Sequence, residues 1–195
     1  MAAENLNDRD FGLDVQEETA DPEAFVEYDI ASYPADLTVS VIEDMWKRCD
    51  IVIPDFQRNF VGDIKQSSLL IESFLLGLPI PQVFFYADDE NKNLVIDGQQ
   101  RILSTLFFLE GFFGEETTQG NRTVFRLAGL DEKSPFFNKR YVDLDESHQR
   151  KLRSAPLRAV IIKQLKPGKD STSLYHIFER LNTGGTPLKP QEIRN

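Results

Sequence analysis

Residues 94–108 read LVIDGQQRILSTLFF, two apolar runs with Asp97-Gly98-Gln99-Gln100-Arg101 set between them. The first run is rich in β-branched and aliphatic residues and suits a strand ending at Ile96. The second reads as a helix ending at Gly111, so a helix starting at about Gln99 comes directly after the turn. Such a turn offers unpaired backbone N–H groups and the positive end of the helix dipole, an arrangement that favours a phosphate. Gly98 would allow close approach of a ligand to the backbone. Arg101, in the first helical turn, can fork onto a pair of phosphate oxygens. Asp97 is placed to hold Mg²⁺ beside those oxygens, and Gln99 or Gln100 to orient a water. Each residue also has an ordinary use: Asp-Gly is a common turn pair, Asp97 a helix cap, Arg101 a surface charge. Taken alone, the quintet does not decide between the two.

Working outward, Val39, Ile42, Met45 and Trp46 follow helical spacing, with Thr38 or Ser40 as cap. IVIP (51–54) is a short strand ended by Pro54, followed by a turn carrying Gln57 and Arg58. Leu70, Ile71, Phe74, Leu75 and Leu78 form the apolar stripe of a helix stopped at Gly77. QVFFYA and NLVI, separated by DDENK, form a hairpin. In the second half, TVFRL (123–127) and LRAVIIKQL (157–165) are strands, and Asp143 or Asp145 caps a helix reaching Leu152. Ser171–Leu181 is amphipathic, NTGGTPL ends it, and Pro190 opens a further helix. The fold expected is α+β, a small mixed sheet (51–53, 83–86, 94–96 and 157–165) flanked by helices.

The chain has 195 residues, 41% of them hydrophobic, enough for one domain with a buried core. Neither a membrane span nor a signal peptide is evident, so the expected location is cytoplasmic and a membrane partner is excluded from the expectations. The net charge of −10 is unevenly spread: residues 1–30 hold ten acids against Arg9 alone, whereas residues 131–195 carry a net +5. Residues 1–35 are therefore assigned to an acidic, flexible arm and 36–195 to the folded domain. The basic third is compatible with phosphate contacts or with a merely solvated surface. The single cysteine, Cys49, forms no internal disulfide and is expected as a small buried hydrophobe.

Two further stretches share the character of DGQQR. PDFQRNF sets Gln57 and Arg58 between apolar residues, and FERLNTGGTPL sets Asn182, Thr183, Gly184 and Gly185 at a helix end. Three such segments suit one shared pocket, although the glycine pair is equally well a helix stop.

The order IVIPDFQRNF, SLLIESFLLGLPIPQVFFY, LVIDGQQRILSTL and FERLNTGGTPLKPQEIRN resembles the N-terminal domain of GmrSD-type, modification-dependent restriction endonucleases and related phage-defence proteins, over roughly residues 38–195. The resemblance implies a ParB/sulfiredoxin-like fold whose strand–turn–helix binds nucleotide phosphates, NTP binding and hydrolysis, and fusion to an HNH-type nuclease. It also implies a nucleotide site of Gln57, Arg58, Asp97, Gly98, Gln99, Gln100, Arg101 and Asn182 to Gly185. The sequence departs from the pattern at Gly62, where a tryptophan is usual. It also has no HNH signature, its histidines being His148 and His176 alone. Where sulfiredoxins carry a reactive cysteine, this turn has Gln99 and Gln100.

The leading expectation is thus an NTPase module of the GTP or ATP class that regulates DNA restriction. Asp97, Gln100 and Arg101 are its catalytic residues, Asp97 is its Mg²⁺ ligand, and DNA and a fused or separate nuclease are its partners. A DNA-binding, modification-sensing module without turnover and a ParB-like nickase are the alternatives.

Overall fold

The computed structural model describes residues 30–54, 60, 62–114 and 122–165. Its main sheet has five strands in the order β1-β7-β3-β4-β2. These are β1 (Ile30–Thr38), β2 (Ile51–Val52), β3 (Val83–Ala87), β4 (Asn93–Asp97) and β7 (Pro156–Gln164). Pairing alternates across the sheet: β1 with β7 and β3 with β4 are antiparallel, β7 with β3 and β4 with β2 parallel. The fold is therefore α+β with a mixed sheet, as the sequence suggests, and the four strands expected to form the sheet all belong to it.

Among the described residues four α-helices accompany it: α1 (Val39–Lys47), α2 (Ile64–Leu76), α3 (Gln99–Glu110) and α4 (Glu146–Ser154). Their ends reflect local chemistry. Thr38 caps α1 by accepting from the Val41 amide, Asp63 caps α2 through the Lys65 amide, and Asp145 caps α4 through the His148 amide. Gly77 and Gly111 close α2 and α3 in the left-handed conformation. Leu78, expected on the α2 stripe, lies beyond this stop and is exposed.

α3 is the centre of the molecule. From Ile102 to Phe108 every residue is buried, including Ser104 and Thr105. A helix enclosed on all sides has no amphipathic stripe, and its sequence shows none. Its residues join Ile71, Phe74 and Leu75 of α2 and Val83, Phe85, Val95, Leu157 and Ala159 of the sheet in one core. Ile96 and Ile162, with Phe84, Tyr86 and Val160, form a smaller cluster apart from it.

Three expectations need correction. Residues 30–35 are not part of an arm, because β1 runs from Ile30 and pairs residue for residue with β7 through Thr38. TVFRL contributes only Thr123–Val124 as a strand, β6, which pairs with β5 (Phe112–Phe113) in a separate two-stranded ribbon. Cys49 is exposed, at φ 59° in the tight turn from α1 into β2. In the short apolar run beside it Ile51 is buried and Val52 to Pro54 are half-buried, while the turn itself faces outward. The amphipathic stretch 171–181, the closing residues 186–195 and residues 1–29 lie outside the described residues.

Candidate functional site

The strand–turn–helix of residues 94–108 is present as the sequence implies: β4 ends at Asp97, Gly98 turns the chain, and α3 begins at Gln99. The register between β3 and β4 shifts so that Phe84 faces Asp97 while Phe85 faces Val95. Ile96 is thus the extra residue of a β-bulge, an irregularity that breaks side-chain alternation and re-aims the residues next to it, Asp97 first among them. Gly98, at φ 95°, is the N-cap of α3 and makes no side-chain cap hydrogen bond. Asp97 does not cap the helix either. Its carboxylate oxygen lies 2.7 Å from Nη2 of Arg101, one helical turn on. The same Nη2 donates to the backbone carbonyl of Gln82, at 3.0 Å, just before β3.

Gly98 is buried, and the close approach it permits is to the sheet. A Cβ there would lie 2.4 Å from Cγ1 and 2.9 Å from Cβ of Val83, and 3.2 Å from Arg101 Nη2. The positive φ and the crowding both exclude a side chain. Gly98 thereby brings the start of α3 down onto β3, where Arg101 can reach the Gln82 carbonyl.

A cleft of about 460 Å³ opens beside this turn, lined by Gly62, Asp63, Gln66, Ser67, Leu70, Gln100, Arg101 and Ser104. Its size is that of a small-ligand site. Two helix N-termini face it: Asp63 and Gln66 belong to the cap and first turn of α2, Gln100 and Arg101 to the first turn of α3. The positive dipole end of α3 adds to the guanidinium charge, whereas that of α2 is offset by the Asp63 carboxylate that caps it. Ser67 and Ser104, both buried, meet at 2.8 Å between their hydroxyl oxygens and join the two helices. One hydroxyl donates to the other, which keeps a proton to give elsewhere. Arg101 Nε is out of solvent and donates to no group among the described residues.

Of the residues read from sequence, Gln100 and Arg101 line the cleft, while Asp97 and Gly98 stand behind Arg101 and Gln99 is half-buried off the lining. Gln57, Arg58, Asn182, Thr183, Gly184 and Gly185 lie outside the described residues. Asp63, Gln66, Ser67 and Ser104 were not singled out in the sequence, and Leu70 only as part of the α2 stripe. The polar start of α2, DIKQSS, was the available signal, since polar residues gathered on the first turns of a helix that is otherwise apolar need a reason.

Gly62 has a steric account of its own. A Cβ there would fall 2.2 Å from Cζ of Phe60, so the ring leaves no room for a side chain at this position. That ring packs edge-on against Phe107 and Phe113, with centroids 5.0 and 5.5 Å apart.

As a test of the Mg²⁺ expectation, one oxygen of Asp97 is already in contact with a guanidinium, and a divalent cation on the same carboxylate would sit against that positive charge. Among the described residues no three His, Cys, Asp or Glu side chains cluster to hold a metal. One oxygen of the Asp97 carboxylate is thus engaged by Arg101.

A small mixed sheet whose strand-to-helix turn carries an arginine to a cleft places the molecule in the ParB/sulfiredoxin-like class of α+β folds. Within that class the chain belongs to the family of the GmrSD restriction endonuclease, N-terminal domain, whose pattern it matches over residues 40–195. No curated protein and no solved structure matches it. Family membership ties the chain to DNA restriction and phage defence. No helix among the described residues is long and apolar enough to cross a membrane.

Proposed function

We propose that this domain binds a nucleoside triphosphate, of the GTP or ATP class, in the cleft between the starts of α2 and α3, and hydrolyses it to regulate DNA cleavage by a nuclease. The observation that carries this reading is the convergence of Arg101, Gln100 and the start of α3, whose N-cap Gly98 brings no side chain of its own, on one cleft of ligand size. The Arg101 guanidinium grips the terminal phosphates, where its charge offsets the negative charge shared by the phosphoryl oxygens. The backbone amides of the first α3 turn add further donors. Gln100 orients a water for attack on the terminal phosphorus; the P–O bond to the leaving diphosphate breaks as the new bond forms, giving nucleoside diphosphate and inorganic phosphate. The nuclease is a fused or separate domain, DNA is the shared substrate, and the setting is cytoplasmic.

The test is phosphate release from a panel of NTPs, with and without DNA, for the wild type, Arg101→Ala and Gln100→Ala. Arg101→Ala should lose both binding and turnover, and Gln100→Ala turnover more than binding. Wild-type release by Arg101→Ala would remove the assignment. The alternative of a DNA-binding module without turnover draws less support from the described surface. Arg140, Arg150, Arg153 and Arg158, in the basic third, each pair with an acid: Asp143, Glu146, Glu43 and Asp36.

A further inference from the structure

We infer that Asp97 is a positioning residue, whose carboxylate fixes the Arg101 guanidinium toward the cleft and takes no metal. The inference rests on the nucleotide reading above and assigns Asp97 a different task within it. Arg101 has a long side chain that would otherwise sample many rotamers, at a cost to any ligand that must select one of them. Here Nη2 is tied at two points, to the Asp97 carboxylate at 2.7 Å and to the Gln82 carbonyl at 3.0 Å. Those acceptors come from the end of β4 and the approach to β3, two neighbouring strands inside the main sheet. Asp97 is not among the residues lining the cleft, whereas Arg101 is.

The remaining donors make the assignment specific. Nε is shielded from solvent and has no acceptor among the described residues. A buried donor in that state is unfavourable, and a phosphate oxygen reaching it would satisfy it. With Nη2 held on the protein side, the guanidinium keeps further N–H groups for a bidentate contact. Gly98 belongs to the same device, because a Cβ there would crowd Nη2 to 3.2 Å. The spacing Asp-Gly-x-x-Arg thus builds a mount: the acid holds the arginine, the glycine clears its path, and the helix carries it to the cleft.

The experiment uses the full chain and fluorescent triphosphate analogues of ATP and GTP, titrated with Mg²⁺ and again with a chelator. Asp97→Ala should weaken binding on the order of tenfold to a hundredfold, as displacement of a ligand-gripping group does, by the same factor with and without Mg²⁺. Asp97→Asn, which keeps an acceptor, should fall between wild type and Asp97→Ala. On an Arg101→Ala background, Asp97→Ala should add little. In parallel, the Arg101 Nε–H resonance should exchange with solvent slowly in wild type and faster in Asp97→Ala, a readout that needs no nucleotide. An Asp97→Ala defect that disappears in chelator, or an Nε–H exchange rate unchanged by the substitution, overturns the inference. Absence of nucleotide binding by wild type, with faster Nε–H exchange in Asp97→Ala, would instead remove the nucleotide reading and leave the mount standing.

Discussion

Gly98→Ala is the sharpest test of how the turn is built. Two costs combine at this position. An L side chain at φ 95° is strained, at about 1–2 kcal/mol for the left-handed region. A Cβ placed 2.4 Å from Val83 Cγ1 and 2.9 Å from its Cβ forces a shift of packed backbone, for which overpacking costs about 1–3 kcal/mol. The sum, roughly 2–5 kcal/mol, is a large part of a typical domain's stability of about 5–15 kcal/mol. Gly77 supplies the control, because it has φ 80° but nothing within 4 Å of a built Cβ. Gly77→Ala should therefore show the conformational cost alone, about 1–2 kcal/mol. Urea unfolding of the two variants, monitored by circular dichroism and compared with wild type, measures both. With a slope of about 2 kcal/mol/M, Gly98→Ala should lower the midpoint by roughly 1–2.5 M and Gly77→Ala by at most about 1 M. Equal losses for the two would refute the claim that Val83 excludes a side chain at 98. Val83→Ala removes Cγ1, the nearest contact, so combined with Gly98→Ala it should cost less than the two single losses added together.

Other substitutions probe the surroundings of the cleft. Ser67→Ala or Ser104→Ala leaves one buried hydroxyl without its partner, at about 1–2 kcal/mol; the double alanine should cost less than the sum, and strict additivity in urea would argue against the pair. Gly62→Ala would push the Phe60 ring from its edge-on contacts with Phe107 and Phe113, each worth about 0.5–1.5 kcal/mol. Unchanged ring-current shifts at those residues by NMR would show that the Phe60 ring does not exclude a side chain at position 62. Asp145 caps α4, and the backbone N–H of His148, the Ser147 hydroxyl and the His148 ring hold its pKa well below 3.8. A lowered folded pKa contributes stability that is complete above the unfolded value of 3.8 and is lost as pH falls below it toward the folded value. Asp145→Asn should therefore flatten the acid limb of the stability–pH curve, and a limb as steep as wild type would contradict this.

The central turn was legible because its signals are local: an aliphatic run, Asp-Gly, then a helical run ended by Gly111. The caps Thr38 and Asp145 and the stop at Gly77 were legible for the same reason. β1 was not, because an edge strand is specified by backbone pairing with β7, and its side chains, mostly exposed around Pro34, carry little apolar alternation. The floor of the cleft was hidden differently. Ser67 and Ser104 each look like a surface residue of their own helix, and only the packing of α2 on α3 makes them partners across 37 positions. Asp97 and Arg101 were both singled out, and their spacing of four allows contact. What the sequence could not reveal was that Gly98, carrying no side chain, leaves the carboxylate free of capping duty and turned toward the arginine.

β1 has a practical consequence for anyone preparing this domain. The family pattern begins at residue 40, whereas the strand that closes the sheet spans Ile30–Thr38. A protein trimmed to the family limits would lose all nine of those residues and leave the whole length of β7, from Pro156 to Gln164, without its outer neighbour. That segment, PLRAVIIKQ, holds the aliphatic run Ala159–Ile162 at its centre, and an unprotected strand of this kind recruits other chains edge to edge. Shortened versions should self-associate while versions beginning before residue 30 stay dispersed, so the choice of start site bears on every binding measurement made with the domain.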